Sequence, residues 1–339
     1  MTNLIKPAVL KFVLVALSLL VTSAVLFFNS DMSPDVYFLN FNEVDNISCH
    51  YSFAGDALPQ IDDTLEFPAK SIFFHETSCR GLLNSRQACA VESAARSHPN
   101  WQVNVLFAGP VSKENLNKGS LKTLQELKNA KLFRLHIVEY AKGTPLEEMV
   151  RGGALNRTRW RISHASDALR YLSLYKWGGV YLDLDLVVVK PFEKLVNNWA
   201  ARESDTVVAA GALAFNSFSC TCFRDLKAKY RGDDWGYNGP GVITRTLREL
   251  CDTHDIAKMS EHTCSGIAVY GPELFYPVSW ANAKRYFTAG ELDEKVPYAF
   301  HVWNKLTQNF KVEKDSAYAI LARKYCPSIY NLYGDEFGS

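Results

Sequence analysis

At the centre of the sequence lies Val180-Tyr181-Leu182-Asp183-Leu184-Asp185-Leu186-Val187-Val188-Val189, an apolar, β-branched run that carries two acids. We interpret it as a buried central strand that ends at Lys190-Pro191. Because strand side chains alternate, Asp183 and Asp185 are expected to point to the same side. Two carboxylates in an apolar strand repel each other and lose hydration, so a cation is expected between them. Hard oxygen ligands favour manganese or magnesium.

The residues before this strand strengthen the interpretation. Ser163 or Ser166 is positioned to cap a helix, and Gly178-Gly179 is expected to end it. A D-x-D motif alone is common, but one in an apolar strand that follows a helix and two glycines is more specific. In the alternative, the strand ends at Leu182 and both acids are exposed, which fits the apolar residues 186–189 less well.

Strand and helix patterns alternate upstream of this region. Strands are predicted at 71–75, 101–107 and 132–138, and helices at 87–97, 121–130 and 145–150. This order predicts an α/β fold with a mainly parallel central sheet and flanking helices. Such a sheet binds ligands beyond the carboxyl ends of its strands, which is where the two acids are expected.

The overall composition excludes several classes of protein. The 339 residues are 47% hydrophobic and 22% charged, which excludes a disordered or collagen-like chain. Lys and Arg number 37 and Asp and Glu 36, for a formal net charge of +1. Such a balance gives no electrostatic reason to expect a nucleic-acid partner.

The N-terminus carries a run of apolar residues, 8–28, whose last 17 residues would span roughly 25 Å as a helix. Thr22-Ser23-Ala24 would suit cleavage of a signal peptide, but the apolar run continues past it, which favours an uncleaved signal-anchor transmembrane helix. Lys6 and Lys11 precede most of the run and acids follow it. We therefore expect a cytosolic tail, 1–7, with everything after Phe28 in the lumen or outside the cell.

Residues 29–68 are irregular and rich in proline and acids, so we interpret them as a stem that precedes a catalytic domain at 69–339. Asn46 and Asn156 each begin a glycosylation sequon, as expected of a chain in the secretory pathway. The eight cysteines are even in number and fit no zinc spacing, so disulfides are expected. The short-range disulfide pairings that we predict are Cys79 with Cys89 and Cys251 with Cys264.

Several segments together resemble the lactosylceramide α1,4-galactosyltransferase and α1,4-N-acetylglucosaminyltransferase family, within the D-x-D glycosyltransferases that use a nucleotide-sugar donor. The segments are Phe73-Phe74-His75-Glu76-Thr77-Ser78, Val91-Glu92-Ser93-Ala94-Ala95-Arg96 with His98-Pro99, Ser166-Asp167-Ala168-Leu169-Arg170, Trp177 to Asp185, Gly211-Ala212-Leu213-Ala214-Phe215-Asn216, Trp235-Gly236 with Gly239-Pro240, Phe275-Tyr276-Pro277 and His301-Val302-Trp303-Asn304-Lys305. These segments occur in the same order as in the family, from about residue 71 to residue 326, and several matches in one order make the resemblance specific.

The resemblance implies a lumenal domain of GT-A architecture in the Golgi membrane and assigns roles to individual residues. Asp183, Asp185 and His301 would hold Mn²⁺ or Mg²⁺ against the donor diphosphate; without the resemblance, a core histidine is the simpler interpretation of His301. The implied donor-binding residues are Glu76, Thr77, Ser78, Asp167, Arg170, Tyr181, Asp183 and Gly239. For Asp167 and Arg170 the alternative is an ordinary ion pair on one helix face, and Glu76 to Ser78 suit a plain loop nearly as well.

The resemblance also implies retention of anomeric configuration. Double displacement needs a group on the β face of the donor sugar, whereas a front-face reaction needs only the departing phosphate oxygen as base. Family members often carry His-Gln where this chain has Tyr237-Asn238, so Asn238 is the candidate β-face amide. Asp234 and its neighbour Asp233 are alternative acids, although a solvated turn describes that pair better.

The expected function is transfer of Gal or GalNAc from a UDP-sugar, in α1,4-linkage, to a glycosphingolipid or a related glycan by a hexosyltransferase. One alternative is α1,4-N-acetylglucosaminyl transfer. Another is a phosphohydrolase of the haloacid dehalogenase type, in which Asp183 would be the nucleophile. A third is a silent sugar-binding protein on the same scaffold.

Overall fold

The computed structural model describes residues 46–339 apart from 54, 63, 217–219 and the side chain of Cys220. The predicted tail 1–7, anchor 8–28 and the first part of the stem lie outside the described residues. Within the described part of the chain, no helix has the length and apolar character needed to cross a membrane.

The strands and helices of the described residues follow in chain order. The strands are β1 Ser71–Glu76, β2 Gln102–Phe107, β3 Ala130–Arg134, β4 Gly179–Leu182, β5 Leu186–Val188, β6 Trp199–Arg202, β7 Val208–Phe215, β8 Ala268–Tyr270 and β9 Ala299–His301. The α-helices are α1 Ser85–Ser97, α2 Lys113–Leu116, α3 Gly119–Gln125, α4 Ile137–Ala141, α5 Glu147–Arg151, α6 Arg161–Trp177, α7 Cys220–Lys229, α8 Pro240–Leu250, α9 Asn304–Thr307, α10 Ala317–Tyr325 and α11 Pro327–Tyr333. Short 3₁₀ helices cover Ser48–Tyr51, Ala154–Arg157, Phe192–Lys194, Ile256–Lys258, Pro272–Leu274, Trp280–Phe287 and Gly334–Glu336.

A seven-stranded sheet with the order β3-β2-β1-β4-β7-β6-β8 forms the centre. Strands β3, β2, β1 and β4 run parallel, β7 is antiparallel to both β4 and β6, and β8 is parallel to β6. The prediction of a mainly parallel sheet in an α/β fold is therefore confirmed. The parallel half directs the carboxyl ends of β1 and β4 to the same edge.

Apolar layers cover both faces of this sheet. On β1, Phe74 packs with the apolar side of α1, including Val91. The adjacent Phe73 points to the opposite face and joins Leu169 of α6. This alternation along one fully buried strand is the pattern of a sheet sandwiched between helices.

The run 180–189 is not one continuous strand. Strand β4 ends at Leu182, and Asp183 and Leu184 begin a turn that the Leu186 N–H closes onto the Asp183 carbonyl at 3.2 Å. The chain then enters β5, which pairs with β9 in a separate two-stranded sheet. The prediction of a single strand is wrong because β5 finds its hydrogen-bonding partner outside the central sheet. The two acids are nevertheless not fully exposed, because β9 covers the turn.

Helix α6 precedes β4 as predicted, with different capping. It begins at Arg161 after Trp160, and neither Ser163 nor Ser166 is its N-cap. It ends at Gly178, whose φ of +67° belongs to the left-handed region. A Cβ there would lie 2.8 Å from the Phe215 carbonyl oxygen, so this position requires glycine both for its backbone and for its contact.

Residues 46–53 and 55–61, within the predicted stem, pack on the domain. Ile47 is 1% exposed, and the buried Asp56 forms a 2.9 Å salt bridge with Arg134 at the end of β3. The Arg134 guanidinium also donates to the backbone carbonyls of Cys49 and Ser52. Packing against the domain thus begins about twenty residues before the predicted boundary at 69.

Three disulfides join six of the seven cysteines whose side chains the structure describes, and Cys222 is free and buried. The Cys251–Cys264 pairing is confirmed. The Cys79–Cys89 guess is wrong: Cys79 pairs with Cys49, and Cys89 pairs with Cys326. Cys89 lies in the buried face of α1, where the fold brings a cysteine 237 residues away to its side. Spacing along the chain carried no information about that contact.

Candidate metal and donor site

The turn after β4 and the end of β9 bring Asp183, Asp185 and His301 together. One possible ligand atom from each residue lies within 4.8 Å of the others. The register of β5 against β9 places Leu186 opposite His301, so the imidazole faces back across the turn. Its Nε2 lies 3.1 Å from Asp185 Oδ1 and 3.9 Å from Asp183 Oδ2. Two carboxylates and an imidazole form a donor set that suits a divalent cation.

The segment that follows β9 fixes Asp185. The Val302 N–H donates to the Asp185 carbonyl at 2.9 Å, and the Asn304 N–H donates to Asp185 Oδ2 at 2.9 Å. Oδ1 is thereby turned toward His301. Burial alone would lower the pKa of His301, but Asp185 and Asp183 outweigh it and raise the pKa to about 10. The pair of carboxylates therefore produces a field that strongly favours positive charge.

Asp183 is held from the opposite side by α6. Arg170 Nη1 lies 3.1 Å from Asp183 Oδ1, and the Tyr181 hydroxyl donates to the same oxygen at 2.7 Å. Burial opposes ionisation of Asp183, but the charge of Arg170 and the proximity of His301 hold the pKa of that carboxyl well below its usual range. Asp183 is therefore ionised across the physiological range, with Oδ2 directed toward the imidazole.

Gly211 on β7 makes this arrangement possible. Its carbonyl accepts the Asp183 N–H at 2.7 Å, and a Cβ at this position would lie 2.7 Å from Asp183 Oδ2. The same Cβ would lie 3.1 Å from the Tyr276 hydroxyl. A side chain larger than hydrogen would displace the carboxylate, so the glycine of Gly211-Ala212 has a direct geometric role at the site.

Asp167 and Arg170 form the ion pair expected of neighbours on one helix face, at 3.1 Å, but the pair is nearly buried and extends to Asp183. Burial raises the pKa of Asp167 to about 7, against the influence of Arg170. Gly239 lies so close that any Cβ there would overlap the Asp167 carboxylate. These contacts bring Asp167, Arg170, Tyr181 and Gly239 into one connected group with Asp183.

Glu76, Thr77 and Ser78 lie at the carboxyl end of β1, next to β4. Glu76 is 1% exposed and accepts hydrogen bonds from the N–H and hydroxyl of Ser78. Burial raises the pKa of Glu76, and its Oε2 has no hydrogen-bond partner among the described residues. The Thr77 hydroxyl donates to the Ile162 carbonyl near the start of α6. The segment is thus an ordered part of the same sheet edge rather than an open loop.

Asn238 and Asp234 belong to a neighbouring network. Asn238 is 1% exposed; its Oδ1 accepts the Arg231 N–H at 3.0 Å, and its Nδ2 donates to the Arg231 carbonyl at 2.6 Å. Asp234 Oδ1 accepts the Gly236 N–H at 3.1 Å, as in a turn. Asp233 is largely exposed. This network reaches α6, which carries Asp167 and Arg170, at two places: His164 of α6 contacts the Asn238 amide and the Asp234 carbonyl, and Gly239, which follows Asn238, touches Asp167.

Comparisons with known proteins bear on this constellation. A family model described as the alpha 1,4-glycosyltransferase conserved region matches residues 214–333, and one described as the glycosyltransferase sugar-binding region containing the DXD motif matches 84–205. The mouse lactosylceramide 4-alpha-galactosyltransferase is 36% identical over 284 residues, covering 78% of each chain. The chain belongs to the alpha 1,4-glycosyltransferase family.

Other relatives extend this family assignment. The human alpha-1,4-N-acetylglucosaminyltransferase is 28% identical over 273 residues, covering 77% of this chain and 80% of the relative. Among solved structures, the galactosyltransferase LgtC in complex with donor and acceptor sugar analogues is 15% identical, covering 77% of this chain and 95% of that chain with a TM-score of 0.40. That structural likeness is too distant to support an inference about activity. The family members named here transfer different sugars, so membership fixes the class of reaction and leaves the donor open.

Two residues near the cluster, Glu203 and Tyr276, received no role from the sequence. Burial raises the pKa of Glu203, after β6, to about 7, and its carboxyl senses the charges of His301 and Asp183. Tyr276 is 2% exposed, and its hydroxyl has no hydrogen-bond partner among the described residues. Phe275-Tyr276-Pro277 contributed to the resemblance, so Tyr276 carried a signal. Glu203 carried no such signal, because it follows the short strand β6, which no periodic pattern in the sequence predicts.

Both predicted glycosylation acceptors are exposed. Asn46 accepts the Ser48 N–H at 2.9 Å, and Asn156 lies at the end of a 3₁₀ helix. Thr158, which completes the second sequon, is 3% exposed and donates to the Gly232 carbonyl. Modification of Asn46 and Asn156 stays a prediction.

Proposed function

We propose that the chain is a metal-dependent, retaining glycosyltransferase that transfers galactose or N-acetylgalactosamine from a UDP-sugar, in α1,4-linkage, to the terminal sugar of a glycosphingolipid or a related glycan. The observation that carries the proposal is the convergence of Asp183, Asp185 and His301 beside Arg170 in a member of this family. The name of the mouse relative, a lactosylceramide galactosyltransferase, supports galactose and a glycosphingolipid.

The residues present fit a divalent cation, and Asp183, Asp185 and His301 would hold Mn²⁺ or Mg²⁺. When bound, the cation supplies positive charge that stabilises a departing nucleoside diphosphate without proton transfer. Arg170 holds the Asp183 carboxylate in place and is itself fixed by a 2.8 Å bond to the Ala210 carbonyl. This preorganisation lowers the reorganisation needed when the donor binds.

The donor is proposed to bind along the sheet edge formed by β1 and β4. Arg170, shared between two carboxylates, contributes positive charge toward the diphosphate, and Asp167 presents a carboxyl that can accept a hydrogen bond from a sugar hydroxyl. Tyr181 and Gly239 line the same side of the proposed donor site as Asp167 and Arg170. Residues Glu76 to Ser78 are proposed to lie beside the nucleotide. Glu76 Oε2 is an acceptor that the described residues do not satisfy.

Asn238 and Asp234 are the proposed groups for the β face of the donor sugar. Contact between the Asn238 amide and a sugar requires its bonds to Arg231 to break, whereas a front-face reaction needs no such group. Asn238→Ala distinguishes the two routes. A fall in kcat of about 100-fold or more with retained folding supports the amide, since removal of one preorganised group that stabilises the transition state costs about that much, and near-normal kcat supports the front-face route.

We propose, first, that the catalytic domain has GT-A architecture. We propose, second, that it lies in the Golgi lumen, attached to the membrane by a type II anchor at 8–28. The mixed α/β sheet with a D-x-D turn at its edge supports the first part. The apolar N-terminal run, its preceding lysines and three disulfides support the second. An acceptor in the bilayer would meet the site from the same membrane.

Alpha-1,4-N-acetylglucosaminyl transfer is the second candidate, supported by the human relative with that activity in its name. Family membership argues against the phosphohydrolase, and the bonds that hold Asp183 Oδ1 to Arg170 and Tyr181 leave it poorly placed as a nucleophile. A silent sugar-binding protein is the remaining alternative.

The test is a screen of UDP-galactose, UDP-N-acetylgalactosamine and UDP-N-acetylglucosamine with MnCl₂, a set of glycolipid acceptors and the full-length chain in detergent. UDP release is measured, and the linkage of the product is determined. An α1,4-linked galactose or N-acetylgalactosamine product supports the proposal. A GlcNAc product replaces it with the second candidate, and binding without UDP release favours the silent protein.

A further inference from the structure

Trp303 has an unusual backbone conformation close to the three candidate ligands. Its φ of 56° and ψ of 48° lie in the left-handed region. The other described residues with positive φ besides glycine are Cys79, Asp252 and Ser265. A bulky aromatic residue adopts this region only when the surrounding structure imposes it, and such positions cluster at functional sites.

The indole group and the following helix impose the conformation. Trp303 Nε1–H donates to the Val278 carbonyl at 2.8 Å. The ring packs edge-on against His301, with centroids 4.2 Å apart, and lies beside Tyr276 at 5.8 Å. The Trp303 carbonyl accepts the Thr307 hydroxyl at 3.0 Å and starts α9. The residue is thus fixed at its ring and at its carbonyl.

The left-handed turn decides where the next amide points. Val302 N–H bonds to the Asp185 backbone carbonyl, and one left-handed residue later the Asn304 N–H reaches Asp185 Oδ2 at 2.9 Å. An extended Trp303 would continue the direction of β9 and carry that N–H away from the carboxylate. The bond occupies Oδ2 and leaves Oδ1 toward His301 Nε2.

We propose that Trp303 is a positioning residue for the cation site: its left-handed backbone aims the Asn304 N–H at Asp185 and so selects which carboxylate oxygen is offered, together with His301, to the metal. The indole locks this backbone and holds the imidazole ring at the same time. This inference rests on the proposed function, because it assumes that Asp185 and His301 bind a divalent cation. Groups that orient ligands in this way contribute strongly to metal affinity.

Binding of MnCl₂ to the full-length protein in detergent, measured by isothermal titration calorimetry with and without UDP, tests the inference. Trp303→Gly frees the backbone, and we expect the Mn²⁺ Kd to rise about 10- to 100-fold. Trp303→Phe keeps a ring but loses the bond to Val278, and a smaller rise is expected. Ser265→Gly is the matched control, since it makes the same backbone change at an exposed left-handed residue, and it should leave the Mn²⁺ Kd unchanged.

The outcomes separate the inference from the function on which it rests. A rise in the Mn²⁺ Kd for both Trp303 variants, with thermal unfolding showing that they remain folded, supports the positioning role. Wild-type Mn²⁺ affinity in Trp303→Gly or Trp303→Phe, together with loss of binding in Asp185→Asn, overturns the inference and leaves the proposed function standing. Absence of Mn²⁺ binding in the wild-type protein overturns both.

Discussion

Asp183 and Asp185 are equivalent in the D-x-D motif but have different surroundings in the structure. Asp183 faces a buried guanidinium and a phenol, which neutralise one of its oxygens. Asp185 is held by backbone N–H groups from the segment after β9 and faces His301. The first acid therefore anchors a buried guanidinium of α6, whereas the second anchors the imidazole and the chain segment after β9.

Asp183→Asn and Asp185→Asn are both expected to lose transfer, and each removes a buried charge partner. The neutral side chain at 183 leaves the buried Arg170 with Asp167 alone as its carboxylate partner, so we expect a loss of about 1–3 kcal/mol in the free energy of unfolding. Asp185→Asn keeps an acceptor for the Asn304 N–H but removes the main charge partner of His301, and because that imidazole has a pKa of about 10 the loss should shrink as the pH rises toward 10. Urea unfolding of both variants in EDTA at pH 7 and 9.5 measures the difference, and two losses with the same pH dependence would contradict the assigned roles.

The raised pKa of Glu203 predicts that the free energy of unfolding of the metal-free protein depends on pH. Burial raises its pKa to about 7 in the folded chain, so the unfolded chain binds fewer protons between its ordinary pKa and pH 7, and the free energy of unfolding falls as the pH rises through that window. Glu203→Gln removes this dependence. The stability of the variant relative to wild type should increase from pH 4.5 to 7 by on the order of 1 kcal/mol, given the partial exposure of the group.

Urea unfolding in EDTA at pH 4.5, 5.5, 6.5 and 7.5 measures this difference for Glu203. The gap between variant and wild type should become constant above about pH 7, because the carboxyl is then ionised in both states. Stability curves that run parallel from pH 4.5 to 7.5 would show that the carboxyl does not titrate as the structure indicates.

At the scale of elements, local patterns predicted the sheet but not its edges. The strands around β1, β2 and β4 were predicted because their apolar runs are continuous and bounded by turn residues. The interruption at Asp183 was not, because β5 owes its place to pairing with β9, more than a hundred residues later. The strand predicted at 132–138 corresponds to β3, which begins at Ala130 and ends at Arg134. At this end of the strand the Arg134 side chain forms the buried ion pair with Asp56. Non-local partners of this kind leave no periodicity in the sequence.

The residues of the candidate site also fall into those that the sequence revealed and those that only the structure revealed. The acids and His301 were found from the motif and the resemblance, whereas Glu203 and the geometric role of Gly211 became visible only when β6 and β7 were placed beside the turn. Asn304 contributes a backbone N–H, a role that its side chain does not reveal.

The disulfides differ in how much they constrain the chain. Cys89–Cys326 links α1 to the start of α11 and closes 237 residues, whereas Cys251–Cys264 closes 13. In the chain-entropy model, replacing both cysteines of the long-range pair by serine costs about 5 kcal/mol, and the same change in the short-range pair costs about 3 kcal/mol. Urea unfolding without reductant compares the two double variants. A smaller loss for the long-range pair would show that chain entropy does not govern its contribution.

At the scale of the whole molecule, the predicted anchor and the packed residues 46–53 and 55–61 define two truncations. Residues 31–339 should be released from the membrane as a soluble, active protein, because the proposed anchor at 8–28 is removed and every described contact is kept. Residues 62–339 should not fold, because the buried Arg134 would lose Asp56, at a cost of about 3–5 kcal/mol. Fractionation and thermal unfolding measure both. Membrane retention of 31–339 would overturn the anchor, and a stable 62–339 would overturn the role of the packed segment.

The measurement that bears most directly on the cation-dependent transfer is UDP release from UDP-galactose as MnCl₂ is titrated into the metal-stripped, full-length chain with a glycolipid acceptor. Wild-type protein should show no release in EDTA and saturable, acceptor-dependent release with Mn²⁺. Asp185→Asn should show none at any Mn²⁺ concentration that saturates wild type. Equal release in EDTA, or full activity in Asp185→Asn, would contradict a reaction that depends on a cation held by Asp183, Asp185 and His301.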